Sequence, residues 1–245
     1  MRLAVLSDIH GNLAALEAVL ADAESQAIDG ILVAGDLSFG PQTGEITRRL
    51  RALGSWMIRG NNEDHLIALD ATDGRHPQYA SRQWACMRWQ YAHLDTETRA
   101  YMTSLPEQRV LALPGTAPIR NGRLALNPGS VGAPLNDDPR AQYALLTWRE
   151  GRWQAEHRAI PYDLGQVQRA FQESGLLEAG GAFARAMLLW VQSGHDVTGR
   201  LLSHAYRLAA QEGYADCAFV PDEVWERAAE SFDWAGRPAT SHSQE

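Results

Sequence analysis

Residues 3–12 read LAVLSDIHGN, so that a short apolar run ends directly at Asp8 and His10. Two later stretches repeat the pattern of an apolar run followed by an oxygen ligand: ILVAGD at 31–36 and WMIRGN at 56–61. Apolar runs of this length, bounded by glycine and polar residues, predict buried strands. The groups at their carboxyl ends are carboxylates, an imidazole and an amide, which are ligands for a divalent cation in an open crevice. The pattern therefore predicts a metal site and hydrolytic phosphate chemistry.

The segments between these strands have helical periodicity. Apolar residues recur at helical spacing over 13–23, Asn12 is placed to cap that helix, and a second helical stripe follows the second strand. Asp8 and Asp36 are 28 residues apart, and Asp36 and Asn61 are 25 apart. These intervals are close to the roughly 30 residues of a βαβ unit. Repeated units of this kind predict parallel strands whose carboxyl ends lie at one edge of a sheet.

The rest of the chain divides into further parts. Two helices are predicted between Pro77 and Leu105, and the apolar spacing is helical again after Pro161. Between them, four strands of a second, largely antiparallel sheet are predicted at 109–113, 123–126, 142–148 and 152–160. The predicted organisation is a main domain at 1–161, a helical extension at 162–235 and a disordered tail at 236–245.

The composition of the chain limits the classes of partner that it is expected to bind. A formal charge of -8 over 245 residues argues against general binding to nucleic-acid backbones, which depends on clustered Lys and Arg. Cys86 and Cys217 fit no zinc or redox spacing, so reduced thiols are expected. The apolar run before Asp8 is too short for a signal peptide, and no later run approaches a membrane span. A cytoplasmic location without membrane contact is therefore expected.

The spacing of Asp8 and His10 is suited to chelation, because alternate residues of an extended segment point to the same side. An Asp-x-His pair on its own, however, is more often a turn or a helix cap. A metal site is favoured by the combination of three strand ends with complementary ligands. Among these, a carboxylate such as Asp36 is able to bridge two ions about 3.5 to 4 Å apart.

Four motifs occur in an order that resembles the calcineurin-like metallophosphoesterases, in particular their compact bacterial and archaeal phosphodiesterase branch. The motifs are SDIHGN (7–12), GDLSFGP (35–41), RGNNED (59–64) and NPGSVG (127–132). The resemblance covers residues 1–161. It implies an α/β fold in which two β-sheets pack face to face with helices outside, here followed by a C-terminal helical appendage.

The resemblance also implies roles for the strand-end residues. Asp8 and His10 would hold a first ion, Asp36 would bridge two ions, and Asn61 would hold the second. The implied catalytic residues are Asp36 and His10. One or two divalent ions per chain are expected, with manganese first and iron, zinc, nickel or magnesium as alternatives.

Arg59 and Asn62, which flank the ligand Asn61, are the expected substrate contacts. Asn62 stands where the family usually has a histidine that assists the leaving group. An amide cannot move a proton at neutral pH, so help from this position is not expected.

The larger departure from the family is an apparent internal deletion between Leu113 and Asn127, where relatives have a His-Gly loop and a Gly-His-x-His loop. No histidine occurs between His93 and His157. The first ion would keep three protein ligands and the second only two, so the first site is expected to survive and the second is not. His65 is the nearest alternative ligand, although a histidine on a helix surface is the simpler interpretation.

The expected function is that of a metal-dependent phosphoesterase acting on a small phosphorylated substrate, and above all the hydrolysis of a phosphodiester by metal-activated water. The alternative is a non-catalytic descendant that binds a phosphate-bearing ligand or a protein. A third interpretation is that the segment was deleted from an ordinary two-metal enzyme, which would leave unpaired strand edges. A homo-oligomer is left open.

Overall fold

The computed structural model describes residues 1–116, 124–215 and 217–236. Within them, five strands form one mixed sheet in the order β3-β2-β1-β4-β5. The strands are β1 (Arg2–Leu6), β2 (Gly30–Val33), β3 (Trp56–Met57), β4 (Ala141–Arg149) and β5 (Arg152–Ile160). β1 pairs in parallel with β2, and β2 pairs in parallel with β3. The parallel arrangement predicted from the repeated βαβ pattern is therefore confirmed.

The helices that connect the parallel strands are α1 (Leu13–Ser25) and α2 (Thr43–Ala52). Asn12 caps α1 as predicted, because its side-chain oxygen accepts a hydrogen bond from the backbone N–H of Ala15. The apolar stripe of α1, which includes Leu16 and Val19, is fully buried against the sheet core. Burial of this stripe fixes the helix on the sheet and leaves the loops at its N-terminus beside the strand ends.

Further helices follow β3. They are α3 (Asn61–Asp70), α4 (Ala85–His93) and α5 (Thr96–Thr103), with short 3₁₀ turns at Pro77–Tyr79 and Arg82–Trp84. The two helices predicted between Pro77 and Leu105 are thus confirmed as α4 and α5.

The expected second sheet is absent from the residues that the structure describes. The predicted strands 142–148 and 152–160 are present as β4 and β5, but they extend the first sheet, because β4 pairs antiparallel with β1 on one side and with β5 on the other. Both edges of β4 are therefore occupied. Residues 109–113 and 124–126 belong to no strand, and Val110 is 97% exposed. Without a neighbouring strand their backbone groups have no ladder partners, while Arg123 lies outside the described residues. The α/β class itself is confirmed.

The chain after β5 is helical, as predicted. It forms α6 (Leu164–Glu173), α7 (Leu176–Ser193), α8 (Val197–Gln211) and α9 (Asp222–Ser231). Their apolar faces share one core with Cys86 of α4 and with Ala133. Residues from both sides of the predicted boundary at residue 161 contribute to this core. The division into two domains at that residue stays a prediction. Of the predicted disordered tail, all residues after Gly236 lie outside the described part.

None of the helices in the described ranges combines the length and the apolar character needed to cross a bilayer.

Candidate metal centre

The loops that follow β1 and β2 are held side by side at one edge of the sheet. The backbone N–H of Asp8 donates to the Gly35 carbonyl at 3.2 Å, and that of Ile9 donates to the Asp36 carbonyl at 2.8 Å. This pairing brings one ligand atom each of Asp8, His10 and Asp36 within 4.8 Å of one another. Three strand-end residues that the sequence pattern singled out are thus placed around one point.

The same three residues have left-handed backbone conformations. The φ angles are 55° at Asp8, 48° at His10 and 54° at Asp36. Such conformations cost on the order of 1–3 kcal/mol for residues other than glycine, and they persist only where the surrounding structure enforces them. Backbone strain is therefore concentrated at the cluster.

The ring of His10 has a defined orientation. Its Nδ1 lies 3.0 Å from the carbonyl oxygen of Ser38, and because a carbonyl only accepts, Nδ1 carries the hydrogen. In the neutral ring Nε2 then has a free lone pair, and it faces Asp8 Oδ1 at 3.6 Å. A hydrogen bond from the far ring nitrogen to a backbone carbonyl is the usual support of a metal-binding histidine.

Asp36 and Asn61 form a second pair of facing groups. Asp36 Oδ1 accepts a hydrogen bond from the backbone N–H of Asn62 at 3.0 Å. One atom of the Asn61 side-chain amide lies 3.3 Å from Asp36 Oδ2. With the amide oxygen on that side two acceptors face each other, as they do around a shared cation; with the amide turned over, its N–H donates to the carboxylate. Asn61 is thus close enough to share an ion with Asp36.

The charges of the cluster shift the pKa values of its members. Burial raises the pKa of Asp8, but hydrogen bonds from His10 and Ser7 outweigh burial and leave it below its ordinary value. Burial lowers the pKa of His10, but the hydrogen bond to Asp8 and the negative charges of Asp36 and Asp8 leave it raised. Burial raises the pKa of Asp36, and the hydrogen bond from Asn62 only partly opposes this. The cluster therefore attracts positive charge, which a proton or a cation supplies.

Glu63, a residue to which the sequence analysis gave no role, holds the ligand loops together. Its fully buried carboxylate accepts hydrogen bonds at 2.8 Å from the backbone N–H groups of Asp36 and Gly60. The other oxygen accepts from the N–H of Ser38 at 3.1 Å and from its hydroxyl at 2.8 Å. The available signal was an acidic residue at the third position of a helix, where it caps the helix N-terminus. Gly60 must be glycine, because a Cβ there would overlap Asp36 Oδ1.

The NPGSVG segment supports the first ligand loop from the other side. The Ser130 hydroxyl donates to the Asp8 carbonyl at 3.0 Å, and the N–H of Gly132 donates to the same oxygen at 2.8 Å. A Cβ at Gly132 would overlap the carbonyl oxygen of Ile9, so glycine is required for this close approach. The segment therefore holds the backbone of the Asp8 loop in place.

A cavity of about 310 Å³ opens beside the cluster. Its polar lining includes Asp8, His10, Asp36, Asn61, Asn62 and His65. The Trp190 ring of α7 lies 5.9 Å from the His10 ring, centre to centre. The sequence pattern predicts α7 as part of a separate appendage, because an apolar helical stripe looks the same whether it lines a core or a cavity.

The arrangement can be compared with known proteins. The profile of the calcineurin-like phosphoesterase superfamily domain matches residues 1–151. The chain belongs to this superfamily.

The chain is similar to an uncharacterized protein of Methanocaldococcus jannaschii, to which it is 30% identical over 106 residues. That match covers 42% of this chain and 42% of the relative, so less than half of either protein is compared.

Two solved structures share the fold. A metallophosphoesterase from Sphaerobacter thermophilus is 22% identical, with a TM-score of 0.62 over 79% of this chain and 99% of that one. A hypothetical protein from Pyrococcus horikoshii is 18% identical, with a TM-score of 0.55 over 74% of this chain and 98% of that one.

The two expected substrate contacts differ in position. Asn62 lines the cavity beside the cluster. The guanidinium of Arg59 instead bonds to Asp64 Oδ1 at 2.7 Å, to the Leu105 carbonyl at 3.2 Å and to Glu107. The structure does not bring Arg59 to the cavity wall, and its contact with substrate stays a prediction.

His65 lines the cavity, but its Nδ1 lies 2.8 Å from the Tyr79 hydroxyl. Burial lowers the pKa of His65, so this ring is neutral at neutral pH. The missing loop histidines have no replacement in the sequence between 109 and 127. The group of residues that could hold a metal ion is therefore Asp8, His10 and Asp36, with Asn61 beside them.

Proposed function

We propose that this chain is a metal-dependent phosphoesterase that hydrolyses phosphodiesters, with a divalent cation held by Asp8, His10 and Asp36. The observation that carries the proposal is the convergence of metal-ligand side chains on one point. One ligand atom each of Asp8, His10 and Asp36 lies within 4.8 Å of the others, and the Asn61 amide lies 3.3 Å from Asp36 Oδ2. Two carboxylates and an imidazole in this arrangement are suitable ligands for a divalent cation.

When bound, a divalent cation supplies positive charge that polarises a phosphoryl oxygen and lowers the pKa of water. The chain's own residues orient the reacting groups. The Ser38 carbonyl fixes the His10 ring, and the Asn62 backbone N–H fixes the Asp36 carboxylate. The side-chain amides of Asn61 and Asn62 line the cavity, where the Asn61 N–H donates to the Asn62 side-chain oxygen at 3.4 Å and the Asn62 N–H is available to phosphoryl oxygens.

Asn62 has no titratable proton to give to a departing alkoxide. Esters whose alcohols leave without that help should therefore react fastest. The rate is expected to fall steeply as the pKa of the leaving alcohol rises across a series of aryl diesters.

Diesters are favoured over monoesters by the character of the cavity. Its polar lining in the described part of the chain consists of carboxylates, amides and imidazoles, while Arg59 is engaged by two carboxylates elsewhere. A diester carries one negative charge and a monoester carries close to two at neutral pH. The smaller charge is the easier one to accommodate beside Asp8 and Asp36.

The experiment is hydrolysis of bis(p-nitrophenyl) phosphate by the full chain with added Mn²⁺. Turnover should disappear with a chelator and in Asp36→Asn, which keeps the size of the side chain but removes its charge. Asp73→Asn is the matched control, because Asp73 is exposed and asparagine tolerates its φ of 48°. Turnover that survives chelation, or that persists in Asp36→Asn, would contradict the proposal.

A non-catalytic binding protein is the second candidate, favoured by Asn62 and by the absence of loop histidines from the sequence between 109 and 127. It predicts that a phosphate ester raises the melting temperature while no product forms. Measurable turnover by the pure protein would exclude it.

Manganese as the preferred ion, a cytoplasmic location, a homo-oligomeric state and the domain division at residue 161 all stay predictions.

A further inference from the structure

The cavity beside the metal cluster has one wall that is apolar and largely aromatic. It is formed by Phe39, Trp84, Phe183, Met187, Trp190 and Leu202. Phe183, Met187 and Trp190 come from α7, and Leu202 comes from α8. The helical extension therefore contributes most of the apolar wall facing the phosphoesterase cluster.

The rings of this wall are held in position by contacts with their surroundings. Phe39 and Phe183 meet edge to face with ring centres 5.3 Å apart and planes at 80°. Trp84 packs in the same way against Tyr79, with ring centres 5.0 Å apart, and the Trp190 indole N–H donates to the Pro134 carbonyl at 2.7 Å. Edge-to-face contacts and an anchored indole fix ring positions, so the cavity is preformed.

The size of the cavity fits a phosphoryl group together with one ring. An apolar cavity of about 150 Å³ is sufficient to bind benzene in another protein. The cavity here measures about 310 Å³ and is continuous with Asp8, His10 and Asp36. A ring in the apolar part therefore lies beside the cluster, since the Trp190 ring of the wall is 5.9 Å from the His10 ring, centre to centre.

We propose that this aromatic wall is a subsite for a flat aromatic substituent of the substrate, so that the substrate class is a phosphodiester with an aryl group or a nucleobase. The hydrolysis of such a substrate rests on the proposed function, whereas the binding of its ring to the aromatic wall does not. Flat rings gain both apolar burial and edge-to-face contact from such a wall, whereas a methyl substituent gains little of either.

The test compares the affinities of diphenyl phosphate and dimethyl phosphate for the Mn²⁺-loaded full chain by isothermal titration calorimetry. Both are singly charged diesters, so their ratio isolates the contribution of the ring. Diphenyl phosphate is expected to bind at least about tenfold more tightly, a modest part of what full burial of a ring provides. Equal affinities, or no binding of either, would overturn the subsite.

Two variants locate the effect. Leu202→Phe should fill the apolar part of the cavity without removing core packing, and Trp190→Ala should remove one face of it. Either change should lower the ratio of the two affinities toward one. Leu208→Phe is the matched control, because Leu208 is partly buried on the same helix but does not line the cavity. A ratio that Leu202→Phe leaves unchanged would overturn the assignment even if Trp190→Ala fails to fold.

A third probe distinguishes the two sources of the ring. The methyl ester of adenosine 5′-monophosphate should match diphenyl phosphate if the subsite takes a nucleobase, and should match dimethyl phosphate if it takes only a purely apolar ring. Turnover is measured in parallel with these affinities. Discrimination without hydrolysis would refute the proposed reaction and leave the subsite standing, whereas hydrolysis without discrimination would refute the subsite alone.

Discussion

Replacing Glu63 with glutamine should damage both the stability of the chain and its metal affinity. The fully buried carboxylate accepts four hydrogen bonds, from the N–H groups of Asp36, Gly60 and Ser38 and from the Ser38 hydroxyl. Glutamine has one accepting oxygen, and its amide N–H₂ would face donors on the other side. If the N–H₂ faces Ser38, the Ser38 hydroxyl can turn to accept from it, so at least the Ser38 backbone N–H loses its acceptor.

The size of the effect follows from these contacts. A buried donor left without a partner costs about 1–3 kcal/mol, so a loss of roughly 1–3 kcal/mol in the free energy of unfolding is expected. For a chain of this length, each kcal/mol lowers the melting temperature by about 2–4 °C. A fall of roughly 2–12 °C is therefore predicted for Glu63→Gln. Because Glu63 positions the loop that carries Asp36, affinity for Mn²⁺ should also fall by about 10- to 100-fold.

Thermal unfolding followed by circular dichroism measures the first effect, and a Mn²⁺ titration measures the second. Glu45→Gln is the matched control, because Glu45 is an exposed residue of α2 and its loss should change stability by no more than about 0.5 kcal/mol. If Glu63→Gln has the melting temperature of the wild type and binds Mn²⁺ equally well, the supporting role assigned to Glu63 is wrong.

Two other substitutions test residues that support the structure around the site. Asp22 on α1 accepts hydrogen bonds from the Tyr143 hydroxyl and from Arg158 Nε, both at 2.6 Å, and the bond from Arg158 is the main reason that its pKa lies below the ordinary value. Stability from a carboxyl with a lowered folded pKa is fully present above its unfolded pKa of about 3.9 and is lost as the pH falls through the folded value. Asp22→Asn should therefore cost about 1–2 kcal/mol in the free energy of unfolding at pH 7. Urea unfolding should show the difference between variant and wild type shrinking as the pH falls below about 3.9, and a difference that stays constant in strong acid would contradict this. Gly132→Ala should lower stability by about 3 kcal/mol or more, because the backbone must move away from the Ile9 carbonyl, and an unchanged melting temperature would show that the contact is not tight.

Local sequence patterns were sufficient to predict the elements around the cluster of Asp8, His10 and Asp36. The strands, the Asn12 cap and the positions of Asp8, Asp36 and Asn61 at strand ends all follow from short-range spacing. These features depend on residues that are close together in the sequence, because each apolar run and its following loop belong to one βαβ unit.

The features that could not be predicted from the sequence depend on contacts between residues far apart in the chain. Strands β4 and β5 had the expected spacing, but period-two patterning does not say which sheet a strand joins. The same limit applies to Trp190, whose apolar helix reads as core until the fold places its ring 5.9 Å from that of His10. Glu63 reads as a helix cap, and only the approach of the Asp36 loop reveals its wider role.

The most direct measurement is the stoichiometry of Mn²⁺ bound to the metal-free full chain, determined by titration calorimetry and checked by elemental analysis. We predict at least one ion per wild-type chain, with binding abolished or strongly weakened in Asp36→Asn and unaffected in Asp73→Asn. Absence of binding to the wild type, or equal binding by all three proteins, would contradict a metal centre built from Asp8, His10 and Asp36.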